Sequence, residues 1–237
     1  MAQAQSGLLS RHQLIGLGVT RSVVRAQLAA RRWCQRSEHV FSVSTGPLSW
    51  EQRLWLAVLH AGPDALIGGL TAARVHGLRS WEREDITVLV DDPLSFEPLA
   101  GVRFFRTRRP LAELRGREEL PLCRLEPAVL LFAGYEPNQR TAHGAIAAVV
   151  QQRLTTVTAL RTWLERLRPL RRAKQFRPLL DDIEGGAHSL AEVDVRRACR
   201  EYGVALPRGQ RPRFDRRGRR RYTDLRVETP GWADSGP

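Results

Sequence analysis

Residues 10–43 read SRHQLIGLGVTRSVVRAQLAARRWCQRSEHVFSV, and the reading of this stretch decides the fold. Ser10 predicts a helix start over Arg11–Leu17, because its hydroxyl can accept a hydrogen bond from a free backbone N–H, which contributes about 1 kcal/mol. Leu14 and Leu17 then share a face, and Gly18 ends the helix with an easy left-handed residue. Thr20 caps a second helix in which Val24 and Leu28 fall four residues apart, with Arg21, Arg25 and Arg32 on the other side. Arg31-Arg32-Trp33 leads into a strand-like Val40-Phe41-Ser42-Val43. Helix, tight turn, helix and β-wing describe a winged helix-turn-helix.

In that motif the second helix meets the major groove of double-stranded DNA by its N-terminal residues, which here are Arg21, Ser22 and Arg25. Arg31 and Arg32 are placed at the wing, where phosphate contact is common. The competing reading is an ordinary solvated helix face. A steep fall of affinity with salt distinguishes the two, since each phosphate contact releases counterions.

Outward from this stretch the chain divides at its glycines and prolines. Residues 1–46 form the winged module, and Gly46-Pro47 reads as a hinge. Residues 47–125 alternate helical and strand patterns: a helix from Ser49 with a Trp50, Leu54, Trp55, Val58 stripe, a strand at Leu66-Ile67, a helix over Leu70–His76, and strands at Ile86–Val90 and Val102–Phe105. Residues 126–184 form a helical extension with segments Pro127–Ala133, Gln139–Gln151, Val157–Leu167 and Arg172–Ile183. Gly185-Gly186 is a second hinge before residues 185–228, where Ser189 opens a helix and Gly209–Phe214 and Arg219–Val227 read as strands. Residues 229–237, with two prolines and two glycines, read as a disordered tail. The expected class is α+β.

The net charge of +13 is unevenly spread. Lys174 is the only lysine among 38 Lys and Arg residues, so arginine preference inflates the basicity and the total says little. Residues 1–37, however, hold six arginines and no carboxylate, and residues 161–227 are also strongly basic. Positive charge at both ends predicts a polyanionic partner. The most apolar stretch, Leu54–Leu70, is interrupted by His60, Pro63 and Asp64 and does not predict a membrane span. Cys34, Cys123 and Cys199 show no metal-ligand pairing, so a reduced, cytoplasmic setting is expected.

Gly7-Leu8-Leu9-Ser10-Arg11, Gln13-Leu14, Arg21-Ser22-Val23-Val24 and Leu28 resemble the winged domain of AbiEi-type antitoxins from actinobacteria. Val149-Val150-Gln151-Gln152-Arg153-Leu154-Thr155-Thr156, Gly185–Glu192 and Arg219-Arg220-Arg221-Tyr222-Thr223-Asp224 resemble the very-short-patch-repair endonuclease fold, of the PD-(D/E)xK type. The first resemblance implies transcriptional autoregulation and two partners, a cognate toxin and a second copy of the chain. The second implies a restriction-endonuclease-like domain in which Glu192 and Asp224 match two Mg²⁺-holding carboxylates, with Arg219, Arg220 and Arg221 available for phosphate contact. The family pattern needs a third strand with another acid soon after, whereas this chain continues Glu228-Thr229-Pro230-Gly231-Trp232. Mg²⁺ demands near-octahedral oxygen ligation, so an incomplete, inactive remnant without metal is expected. The alternatives are a Mg²⁺-dependent DNA endonuclease and a protein-interaction module of a toxin–antitoxin or phage-defence system.

Two weaker patterns point elsewhere. Gly68-Gly69 followed by Asp85-Ile86-Thr87 has the order of a nucleotidyltransferase signature, but Thr87 replaces the second aspartate. The six histidines show no metal spacing, and no P-loop is present.

Overall fold

The computed structural model describes residues 2–92, 97–185, 194, 195, 198, 199, 201–204, 211–214 and 220–223. The class is α+β, with two three-stranded sheets and a two-stranded hairpin among these residues. The chain forms two compact units, Met1–Val129 and Leu130–Pro237.

The first unit opens with β1 (Leu8–Ser10), α1 (Arg11–Gly16) and α2 (Arg21–Ala29), followed by the hairpin β2 (Cys34–Gln35) and β3 (Val40–Ser42). Both helix starts follow from their caps. The Gln13 N–H donates to Ser10 Oγ while the Ser10 N–H donates to Gln13 Oε1, and Thr20 accepts from the Val23 N–H. The sheet order is β1-β3-β2, antiparallel throughout, with Leu9 opposite Phe41. Leu9, Leu14, Val24 and Phe41 form a small core, flanked by Val19, Leu28 and Trp33. Two details differ from the sequence reading. The strand β1 precedes the first helix and completes the sheet, and α1 stops at Gly16. That early stop turns Leu17 away from the core, leaving it 54% exposed.

The same unit continues with α3 (Trp50–Ala61), which packs on β1 and β3 and is capped by a reciprocal Ser49–Gln52 pair. Of its expected stripe Leu54, Trp55 and Val58 are buried, while Trp50 lies half-exposed under the Arg74 guanidinium, 4.2 Å from the ring centroid. Next come β4 (Leu66–Ile67), α4 (Gly69–Val75), β5 (Ile86–Asp91), β6 (Val102–Thr107) and α5 (Leu111–Leu114). The sheet order is β4-β5-β6, with β5 antiparallel to β4 and parallel to β6. Central strand β5 is almost wholly apolar because α3, α4 and α5 pack against it, as expected of a strand covered on both faces. β6, at the sheet's edge, exposes Arg103 and Arg106, charges that discourage edge-to-edge pairing.

The Gly68-Gly69 pair is a packing device. A Cβ on Gly68 would stand 2.4 Å from Leu89 Cγ, and Gly69 turns into α4 at φ +53°. Only glycine allows that approach and turn together.

The boundary between the units falls within α6 (Leu125–Tyr135). The second unit continues with α7 (Gln139–Gln151), α8 (Val157–Arg166) and α9 (Ala173–Glu184), all close to the expected ranges. Asn138 caps α7 and Thr156 caps α8. Ile146, Leu160, Leu164, Phe176 and Leu180 are fully or almost fully buried, so amphipathic periodicity built this helical unit. β7 (Arg211–Phe214) and β8 (Arg220–Thr223) pair antiparallel, with Arg211 opposite Thr223. The expected turn between them lies outside the described residues. No helix among the described residues is long and apolar enough to cross a membrane, and Cys34, Cys123 and Cys199 are free thiols. Burial pushes the Cys123 thiol well above its ordinary range, with Glu126 adding to the effect.

Candidate nucleic-acid interface

Helix α2 buries one narrow stripe and shows the rest of its surface. Val24 is buried and Leu28 packs against the module's core, so the opposite side, carrying Arg21, Ser22 and Arg25, is exposed. Arg21 and Arg25 stand one helical turn apart and therefore on one face. Ser22 is partly occupied, its hydroxyl 2.8 Å from the Thr20 hydroxyl.

Arg31 and Arg32 lie at the other end of the helix. Ala30 is its C-cap, and Arg31 follows in the left-handed region at φ +54°, a conformation that costs a non-glycine residue about 1–2 kcal/mol. The sequence reading placed this pair at the wing. Instead they occupy the turn between α2 and β2, because α2 ends there and the chain must reverse before the hairpin begins. The wing loop proper runs from Arg36 to His39. It presents Glu38, exposed and 3.6 Å from His39 Nε2, so an acid occupies the place where a phosphate-gripping wing carries a base.

The six arginines of residues 1–37 divide by what holds them. Arg36 is structural: its Nε donates to Ser42 Oγ at 2.8 Å, and its Nη2 donates to the carbonyls of Ser44 and Gly46 at 2.9 and 2.6 Å. It ties the hairpin to the chain leading to α3. Arg11 lies over the Phe41 ring, 5.2 Å from its centroid, with Nη2 3.5 Å from the Glu38 carbonyl. The side chains of Arg21, Arg25, Arg31 and Arg32 have no hydrogen-bond or ion-pair partner among the described residues. Composition could not separate these groups. The buried Ser42 six residues beyond Arg36 was the available sign that Arg36 turns inward.

From Arg21 to Ala29 the helix rises about 12 Å at 1.5 Å per residue. That is comparable with the width of the B-DNA major groove, about 12 Å. Unpaired cations at both ends of a groove-sized helix can meet the two phosphate backbones while the intervening side chains face base edges.

The remaining candidates are less well placed. Glu192, Asp224 and Arg219 lie outside the described residues. Arg220 and Arg221 belong to β8, where Arg220 is opposite Phe214 and Arg221 opposite Arg213. Among the described residues no group of three or more His, Cys, Asp or Glu side chains is arranged to hold a metal ion.

No family model matches the chain, and no curated protein matches it. Among solved structures, the RV2827C protein from Mycobacterium tuberculosis is similar at 18% identity, covering 73% of this chain and 71% of that chain with a TM-score of 0.46. A likeness of that degree carries no argument about function.

Proposed function

We propose that the chain is a DNA-binding protein that docks α2 in the major groove, acting as a transcriptional regulator of its own gene. The observation that carries the reading is the set Arg21, Arg25, Arg31 and Arg32. All are exposed on a capped helix and the turn that ends it, and none has a partner among the described residues. Unpaired surface cations on a groove-sized helix gain most from phosphates, where counterion release drives association. Sequence is then read by whatever reaches base edges, and Ser22, between the two arginines, is the side chain best placed for that. One such module is a small reading surface, so two copies on half-sites a helical turn apart give the tight form of the complex.

The autoregulatory part of the reading follows the resemblance to AbiEi-type antitoxins, which also suggests a cognate toxin as protein partner. The test is a mobility-shift measurement with the duplex upstream of the protein's own gene and a scrambled duplex of equal length. The reading expects retention of the upstream duplex at protein concentrations that leave the scrambled one free. Failure to retard either duplex at low ionic strength excludes DNA binding, while equal retention of both excludes autoregulation.

A further inference from the structure

The winged module and the segment that follows it enclose a cleft of about 650 Å³ within the first unit. That volume sits within the range of about 300–1,000 Å³ typical of small-molecule sites. From the module come Gln5, Arg11, His12 and Ile15 of its first turns, and from the following segment come Leu59, Pro63 and Arg115. Its floor is held firmly. His60, 5% exposed, donates from Nε2 to the Glu97 carbonyl at 2.7 Å, and its Nδ1 is 3.0 Å from Ser37 Oγ. A carbonyl can only accept, so Nε2 carries the proton, and both ring nitrogens are committed to tying the wing loop to Glu97.

Three features are left without a structural use. Arg115 is half-buried and its side chain has no hydrogen-bond or ion-pair partner among the described residues, although its backbone carbonyl accepts from Arg124. A guanidinium on a half-buried residue, with no acceptor in the protein, is best completed by an anion. Ile15, on α1, is 62% exposed and lines the cleft. The side-chain oxygen of Gln5 is buried with no hydrogen-bond partner among the described residues. Against the cations, Glu119 is the one acid on the lining. Leu59, Pro63 and Trp55 supply an apolar wall.

We propose that this cleft binds a small organic anion with a flat apolar body, of which an aromatic carboxylate is the simplest form. Its anionic group pairs with Arg115, and its ring covers Ile15 and Leu59. Such a ligand touches α1 and Arg115 at once, so occupancy fixes the winged module against the rest of the unit. The inference stands apart from DNA binding, because it rests on none of Arg21, Arg25, Arg31 or Arg32.

The probe is 1-naphthoate, titrated into the full chain by calorimetry, with 1-naphthamide as its uncharged counterpart. One saturable site with a dissociation constant of about 1 mM or tighter is expected for a ligand of this size. The amide should bind about tenfold more weakly, and Arg115→Gln should weaken naphthoate by about the same factor while leaving the amide unchanged, as loss of one charge-assisted hydrogen bond predicts. An unchanged circular dichroism spectrum shows that the variant is folded, and Arg115→Lys, which keeps the charge, should recover part of the affinity. Absence of saturation up to about 5 mM, equal binding of acid and amide, or full affinity in Arg115→Gln overturns the proposal. The mobility-shift result on DNA is read separately and neither outcome there alters these.

Discussion

The winged module and the helical unit use the same residue in opposite ways. In α8 and α9 the arginines are spoken for. Arg161 Nη2 reaches Asp181 and Glu184 at 2.5 and 3.1 Å, and Arg168 and Arg177 both reach Glu165, at 2.6 and 3.2 Å. Arg172, at the start of α9, donates to the carbonyls of Glu136 and Pro137. In α2 and the turn after it, four arginines face solvent with nothing to answer them among the described residues. A net charge of +13 adds both kinds together. Only the pairing separates cations that hold a helix bundle from cations kept for another molecule.

Four variants sharpen or break that contrast. The largest effect is expected from Phe176→Ala. Phe176 is fully buried and packs edge-on to His143 with ring centroids 6.1 Å apart, so its removal should cost about 3–5 kcal/mol. Denaturant unfolding measures that loss, and the salt dependence of DNA binding under native conditions should stay the same. Next is the pair Arg21→Ala and Arg25→Ala. Removing two phosphate contacts should lower the log–log salt slope by about 1.8, with stability changed by less than about 0.5 kcal/mol because both side chains are exposed. A double variant with full affinity would place these arginines with those of α8 and α9 and erase the contrast.

Thr20→Ala has a smaller, mixed effect. It deletes the acceptor for the Val23 N–H, 3.3 Å away, and should destabilise the module by about 1 kcal/mol, seen as a lower unfolding midpoint of residues 1–129. The smallest change is expected from Arg161→Ala. Its side chain is 35% exposed, and exposed pairs contribute about 0.2–1 kcal/mol that fades with salt. Thermal unfolding at low and high salt checks this. A change in DNA affinity in Arg161→Ala would show that paired arginines serve the ligand as well.

The helices were legible because their information is local. Ser10, Thr20, Ser49, Asn138 and Thr156 each occupy an N-cap in the structure, and the first three are readable as caps from residue type and the apolar spacing that follows. What remained hidden is non-local. β1 is only Leu8–Ser10 and exists through its pairing with β3, which no period in three residues can announce. The parallel register of β5 with β6 depends on partners sixteen residues apart. Leu17 fits the helical face on paper, yet the Gly16-Leu17-Gly18 run lets the helix stop one residue early and sends the side chain outward. Among the site residues, Arg21, Ser22 and Arg25 were readable from their place after a cap. Arg36 looked no different from them until its hydroxyl and carbonyl partners were in place, and Arg31 and Arg32 could be assigned to a wing only while the end of α2 was unknown. Arg115 carried no local signal, since it shares its cleft with α1, about a hundred residues away in the chain.

The central claim is that four unpaired arginines at the two ends of α2 meet DNA phosphates. Fluorescence anisotropy of a labelled upstream duplex, titrated with the full chain over a range of salt concentrations, measures it most directly. Four contacts per chain predict a log–log slope of about −3.6 for each bound copy, falling to about −1.8 for each when Arg21 and Arg25 are both alanine. The same slope in the protein and in the double variant, or no change in anisotropy at the lowest salt, contradicts it.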